Sequence, residues 1–448
     1  MGAGLLYLSK FRPVMVPIPV SEIDEAGRRT GMADCFWIAP LSKTGLNYIF
    51  LDSGAGYWLT QFQLPEGSSL EFSGEFPHAR LLSFVSYDEK SIPVDSLADT
   101  EIQPDIGAVN PFVVGARRDA SLRSYKINVS NSIDTADQTS SSPKTDRPTN
   151  TLFVKKSGKP MAMVMRIYVP DKGFDAKGGV NLPKPVLTLA DGNKIEGEDL
   201  CRKIVVKENA LQETRLTPET FRALSNLSSK TTQYHPAQPE PQWEAFRNPP
   251  HVISGMFTGT KFEWIRQLLV GNRKGGAYST PNNSYMSMFA DRRFGELLVI
   301  QSKAASTPNT FNGDDVMTTG SLRYWSLCKY RSFADQSLED NSCVYDEGVP
   351  KDKNGDYTIV VSTANDRPQN ATINCGVAWV NWGTGDGVDN PFGGILLYRN
   401  MLPGPAFKKS IFDVQSPGEE ISTLGEFYPK AKYMSKKDFE KIGCGKTG

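Results

Sequence analysis

The stretch GSLRYWSLCKY, residues 320–330, echoes HARLLSFVSYD, residues 78–88. Each carries an Arg (Arg80, Arg323), two bulky residues, a Ser (Ser83, Ser326), two mostly apolar residues, one more residue, and a Tyr (Tyr87, Tyr330). The echo continues on both sides in the same order. Upstream, Gln61 matches Gln301, Pro65 matches Pro308, Phe72 matches Phe311 and Gly74 matches Gly313. Downstream, SYKINVS (124–130) resembles DYTIVVS (356–362), and MVMRIYVP (163–170) resembles ILLYRNMLP (395–403). Ordered agreement over such a span reads as an internal duplication. The alternative is chance reuse of short apolar phrases in a β protein.

Each copy has the pattern of strands. In YWLTQFQL (57–64), Trp58, Thr60 and Phe62 fall on one face and Tyr57, Leu59 and Gln61 on the other. RLLSFVSY, YTIVVS and GGILLYRNML are short apolar runs bounded by turn formers, the pattern of strands covered on both faces. Asn354-Gly355 in DKNGDY is a turn signal. Between the copies, LPKPVLTLADGNKIEGEDLCRKIV (182–205) reads as an extended segment and a short helix. TPETFRALSNLSSK (217–230) has Thr217 as N-cap and Pro218 at the first helical position, and QYHPAQPEPQWEAF (233–246) is an extended Pro-rich connector. The expected fold is mainly β: two similar β-sandwich or jelly-roll-like lobes, residues 31–190 and 251–433. A helical and Pro-rich bridge at 191–250 joins them, and a C-terminal cap runs to 448.

Composition narrows the function. The chain has 448 residues, enough for two or three domains. Fifty basic residues balance fifty acidic ones, which argues against a nucleic-acid binder or a polybasic membrane binder. No run approaches the roughly 20 apolar residues of a membrane span. MGAGLLYLSKFRP lacks the core and cleavage site of a signal peptide, which leaves a trimmed natural N-terminus as the expectation. The six cysteines, Cys35, Cys201, Cys328, Cys343, Cys375 and Cys444, form no CxxC pair. They permit three disulfides, with Cys328–Cys343 the best single pairing; six buried thiols are the alternative. Sequons at Asn128, Asn226, Asn282 and Asn370 are no more than chance supplies. The cysteines carry the expectation of a secretory or extracellular location.

Conventional catalytic signatures are missing. The three histidines, His78, His235 and His251, are scattered and offer no metal spacing. There is no GxSxG, no Walker loop and no GxGxxG after a strand, so neither metal nor cofactor is expected. Asp88, Asp95, Asp99 and Asp105 cluster after the first copy, where turn capping is favoured over paired-carboxylate chemistry. The aromatic-rich segment 323–400 remains. Trp325, Trp379 and Trp382, with Tyr324 and Asn381, are expected to shape an apolar pocket between the lobes, and Trp58 lies in the stretch that could form its opposite wall. The core-aromatic reading stands beside this one.

Over LRYWSLCKY, YTIVVSTANDRPQNATINCGVAWVNW and GGILLYRNMLP the chain resembles a poorly characterised group of bacterial and fungal proteins, many of them exported. In overall style it is similar to the fungal hetero-Diels–Alderases of tropolone sesquiterpene biosynthesis. That resemblance implies a cyclase without metal or cofactor, acting on an apolar small molecule. Arg323, Tyr398 and Arg399 would then polarise a substrate oxygen. A homodimer is compatible with the sequence. The competing expectations are a non-catalytic exported binder of an apolar ligand or carbohydrate, and a carboxylate-based hydrolase.

Overall fold

The computed structural model describes residues 14–17, 30–41, 47–131, 147–155, 159–206, 212–228, 233–255 and 279–444. The N-terminal stretch 1–13, most of the loop 140–150 and the segment 271–276 lie outside the described residues. A two-stranded ribbon pairs β1 (Val14–Pro17) with β12 (Gln212–Arg215).

Lobe one is a sandwich of two five-stranded sheets. Its inner sheet runs in the order β2 (Ile38–Leu41), β3 (Ala55–Phe62), β9 (Met161–Pro170), β5 (Ala79–Tyr87), β6 (Pro93–Ala98). Its outer sheet is β11 (Lys194–Glu196), β10 (Lys184–Thr188), β4 (Ser69–Glu75), β7 (Ser124–Asn131), β8 (Thr151–Val154). Lobe two repeats the plan. Its inner sheet is β13 (Glu244–Ala245), β14 (Asn283–Asp291), β20 (Gly393–Pro403), β16 (Leu322–Tyr330), β17 (Leu338–Tyr345). Its outer sheet is β19 (Val377–Asn381), β18 (Asp356–Ser362), β15 (Leu297–Lys303), β21 (Lys430–Met434).

Apart from β11, which has no counterpart among the described strands, the strand order maps one lobe on the other, down to the single parallel pair in each outer sheet, β7·β8 and β18·β19. The registers agree residue by residue. Arg166 lies opposite Tyr57 and Ser83, and Arg399 lies opposite Tyr285 and Ser326. Val169 and Leu402, each three residues after its Arg, both hold a positive φ, 49° and 43°. The duplication is therefore structural. One part of the sequence alignment was displaced by a strand. Gln61 ends β3 of an inner sheet, while Gln301 lies on β15 of an outer sheet. The partner of β3 is β14 and that of β15 is β4. Alternating strands followed by Pro or Gly turns align with one another whichever sheet they join.

The two inner sheets pack face to face, giving four layers. All nine residues of β5 and eight of nine in β16 are buried, because both faces of an inner strand are covered. Trp58, Leu82 and Phe84 point into the lobe-one core, and Trp325, Leu327 and Tyr398 into the lobe-two core. Val85, Tyr87, Cys328 and Tyr330 meet at the junction. The bridge contributes α1 (Gly197–Ile204), α2 (Pro218–Ser228) and α3 (Pro249–Ser254), and Phe221, Leu224, Val252 and Ile253 seal the junction. After α4 (Glu420–Leu424), α5 (Lys436–Ile442) lays Phe439 over the outer face of β15 and β18. All six cysteines pair, as Cys35–Cys201, Cys328–Cys343 and Cys375–Cys444. The first ties the start of lobe one to α1, and the last ties the chain end to lobe two.

Two arginines form ion pairs across the junction, one from each lobe. Arg80 of β5 binds Asp346 and Glu347, in the turn after β17. Arg323 of β16 reaches Asp99, in the equivalent turn after β6, at 3.6 Å. It also donates to the Arg80 carbonyl at 3.0 Å. Burial pushes the Asp99 carboxyl above its ordinary range, against the pull of Arg323. Loops add to the contact: Gly115 donates to the Met317 carbonyl at 2.8 Å and Met317 donates back to Ala116 at 3.0 Å. The Met317 side chain enters the lobe-one core.

Removing one member of a buried pair strands its partner, at a cost of about 3–5 kcal/mol. Arg80→Met should destabilise by that amount in urea unfolding, and Arg80→Met with Asp346→Leu and Glu347→Gln should recover most of it. A single-mutant loss below ~1 kcal/mol would show that this pair does not hold the lobes together.

Candidate functional site

The junction gathers arginines, tyrosines and a buried aspartate around one point. Asp52 sits at its centre, on the loop before β3, and is 3% exposed. Its Oδ1 accepts from Tyr324 Oη at 2.6 Å and from the Gly54 amide at 3.0 Å. Its Oδ2 accepts from Ser326 Oγ at 2.5 Å and lies 3.3 Å from Arg399 Nη1. Residue 54 must be Gly, since a Cβ there would meet Tyr324 Oη at 2.5 Å. Arg399 also donates to the Phe50 carbonyl at 2.6 Å and to Tyr330 Oη. In the matching half, Arg166 Nη2 donates to Tyr87 Oη at 2.7 Å.

A small cavity lies between these groups, with about 40 Å³ of water-accessible space. Arg166, Arg399, Tyr57, Tyr168 and Tyr285 supply polar walls; Ile49, Phe50, Leu51 and Val164 supply apolar ones. Burial opposes the Arg399 charge, but Tyr330, Asp52 and the surrounding tyrosines outweigh it, so the guanidinium stays protonated. Burial also pushes the Tyr57, Tyr168 and Tyr330 hydroxyls up, so they remain donors at any ordinary pH. Ile49 and Phe50 hold φ of 60° and 52°, an unusual conformation for a β-branched or bulky residue and one that clusters at ligand clamps.

The residues expected from the sequence scatter relative to this cavity. Arg399 lines it. Tyr324 stands beside it through Asp52. Arg323 is engaged with Asp99. Tyr398 and Trp325 lie in the lobe-two core, Trp325 stacked on Tyr357 at 5.1 Å. Trp58 is buried in the other core, its Nε1 donating to Met32 O at 2.8 Å. Trp382 packs in the lobe-two core, with Lys329 Nζ 5.4 Å from its ring. Trp379 lies on the outer sheet, its ring under Arg367 at 4.5 Å, and Asn381 binds the Asp340 carbonyl at 3.0 Å. The tryptophans therefore do not wall one pocket: Trp58 belongs to the lobe-one core, Trp325 and Trp382 to the lobe-two core, and Trp379 to the outer face of lobe two. Arg166, Tyr57, Tyr168, Tyr285 and Asp52 were missed. Aligning RIYVP with RNMLP pairs Arg166 with Arg399, and that match could have found them.

The early aspartates cap and pair. Asp88 accepts from the Lys90 and Ile92 amides, and Asp95 binds Arg147 and the Phe153 amide. Among the described residues, one trio has metal-like proximity, Asp52 with Cys328 and Cys343, but both sulfurs are bonded to each other. A larger, open chamber of about 690 Å³ lies under the bridge, lined among others by Gln238, Glu240, Gln242, Trp243, Glu244 and Phe289.

No known protein family matches the chain, and no curated protein matches it. Solved structures do. An uncharacterised protein from Burkholderia cenocepacia is 12% identical, with 94% of this chain and 88% of that one covered at a TM-score of 0.47. VPA0106 from Vibrio parahaemolyticus is 10% identical over 93% and 95% of the two chains, with a TM-score of 0.39. An anti-sigma factor domain-containing protein from Clostridium clariflavum is 8% identical over 85% of each, with a TM-score of 0.18.

Lys329 gives a pH test of the lobe-two core. Burial pulls its ammonium down to about 8, only partly offset by Glu339. The unfolded chain therefore holds this proton at pH values where the folded chain has lost it, and stability rises with pH above about 8 until the unfolded lysine titrates. Lys329→Met should remove that rise, measured as the difference between the two unfolding free energies at pH 7.5 and 9.5. Equal slopes would mean Lys329 keeps an ordinary pKa.

Proposed function

We propose that this protein is an exported, cofactor-independent enzyme. It binds a small, largely apolar molecule by an oxygen in the junction cavity and promotes its cyclisation by a hetero-Diels–Alder reaction. The supporting observation is the convergence of two arginines and three tyrosines on one cavity with an apolar wall. The roles first expected of Arg323 and Tyr398 pass to Arg166, Tyr57, Tyr168 and Tyr285, with Arg399 retained.

The chemistry fits such donors. In a hetero-Diels–Alder addition, six π electrons of diene and dienophile become two σ bonds and one π bond, with no group lost and no electron taken up. A catalyst can hold the partners in near-attack geometry and hydrogen-bond a heterodiene carbonyl as it gains negative charge. The cavity holds an oxygen-bearing head, being several times the roughly 10–15 Å³ one water needs. The rest of a substrate enters where Ile49 and Phe50 give way, and their strained backbone makes that displacement less costly. The three disulfides suit an oxidising compartment.

A second reading has its own observation. The open 690 Å³ chamber, with its Gln, Glu and Trp lining, suits a polar ligand such as a carbohydrate held without turnover.

The two separate by assay. With an enone heterodiene and a conjugated polyene, the wild type should form cycloadduct faster than buffer. Tyr285→Phe and Tyr168→Phe should each lower that rate about 100–1,000-fold with unchanged thermal stability. Rates equal to buffer, together with oligosaccharide binding lost in Gln242→Ala, would replace the cyclase with the binding protein.

A further inference from the structure

The duplication supplies a template for what the cavity takes. Asp52 and Thr280 are equivalent positions, fixed by four matching hydrogen bonds. Ala55 donates to the Asp52 carbonyl at 3.4 Å, as Asn283 does to Thr280 at 3.2 Å. Gly54 donates to Asp52 Oδ1 at 3.0 Å, as Asn282 does to Thr280 Oγ1 at 3.3 Å. Val169 donates to Gly54 O at 2.8 Å, as Leu402 does to Asn282 O at 3.1 Å. Tyr330 Oη donates to Leu51 O, as Tyr87 Oη does to Ser279 O at 3.0 Å.

The halves differ in one respect that matters chemically. Around Asp52, a carboxylate is gripped by Arg399, Ser326 and a tyrosine, Tyr324. In the half that carries Thr280 in place of Asp52, the equivalent strands β9 and β5 present Arg166 and Ser83, opposite each other in register. A tyrosine is present there too, carried on β9 as Tyr168 where the other half has Met401. Thr280 is neutral and one atom shorter than Asp. Ser83 Oγ, the counterpart of the hydroxyl that binds Asp52, is fully buried and makes no hydrogen bond. A buried hydroxyl is costly to leave so.

We infer that the lobe-one half takes an external carboxylate, or an oxyanion of that shape, in the place that Asp52 occupies in the other half. This rests on the reading of the cavity as the ligand site and adds the class of ligand. The anion would meet the Ser83 hydroxyl and the Arg166 guanidinium, with Tyr168 donating from the cavity wall. Its apolar remainder would lie against Val164, Ile49 and Phe50, which line the cavity together with Arg166 and Tyr168. The ligand is then a small apolar acid, or an enolate or phenolate of similar size.

Thr280→Asp in the full chain is the direct test, with propionate and propionamide as probes in ligand-observed NMR. The wild type should bind propionate at least about tenfold tighter than propionamide. Thr280→Asp should raise the melting temperature by several degrees and abolish propionate binding, because the chain now carries its own carboxylate there. Ser83→Ala, which removes only the hydroxyl, should weaken propionate up to about fivefold. A destabilised Thr280→Asp, or one that still binds propionate, overturns the inference. Equal binding of the two probes, lost in Tyr285→Phe, overturns the oxyanion and leaves the donor cavity standing. Binding of neither probe overturns both.

Discussion

Two equivalent arginines exchange carboxylates across the centre of this molecule. Arg80 of lobe one is held by Asp346 and Glu347 of lobe two, and Arg323 of lobe two by Asp99 of lobe one. Burying a guanidinium without an anion is costly, because packing does not replace its lost hydration. Neither lobe provides this anion for its own arginine. Each lobe therefore satisfies its charge only when the other is in place, and the face-to-face packing of the inner sheets follows. So does the near-complete burial of β5 and β16. The repeated phrase carries an Arg at the same position because the contact is made twice, once in each direction.

Much of this was legible in the sequence, and the illegible part has a definite cause. Period-2 alternation located the strands and placed Trp58, Thr60 and Phe62 on one face of β3, as found. The short spacing of Cys328 and Cys343 pointed to the bond that forms. Alternation does not say which of two buried faces a residue occupies. In an inner strand both faces are dry, so Tyr324 and Trp325 read alike. Yet one binds Asp52 at the junction and the other stacks inside lobe two. The tryptophan-rich segment drew attention by its composition, while the polar site is assembled from isolated tyrosines and arginines on six different segments. Lone residues at separate places leave no local signature, and the repeat is the one signal that connects them.

The distribution of polarity across the layers is uneven. The lobe-one core is built mostly of Phe, Trp, Leu, Ile, Val and Met, with Ala79, one tyrosine, Tyr125, and disulfide-bonded Cys201. The junction is just as dry, yet holds Asp52, Arg166, Arg399 and a ring of tyrosines. Apolar residues of similar volume commonly match or exceed the stability of such a network. Its concentration in the layer between the two cores supports the proposed binding role.

Duplication explains how the layer acquired that freedom. Each half keeps its own core on the far side of its inner sheet, so the junction face can change without disturbing either sandwich. The changes are seen where the halves face each other. Asp52 stands against Thr280, Tyr168 against Met401, and Leu81 against Tyr324, while the flanking Arg, Ser and Tyr positions are held in common. What is held in common is the donor set; what differs is the supply of the acceptor. One half closes on a carboxylate from its own chain, which fixes the loop at Asp52 and anchors Arg399. The other half repeats the same strands with no Asp at the matching position. On the proposed reading, a pair of lobes that began alike becomes a support on one side and a receptor on the other, with the inner strands of both kept in the same order.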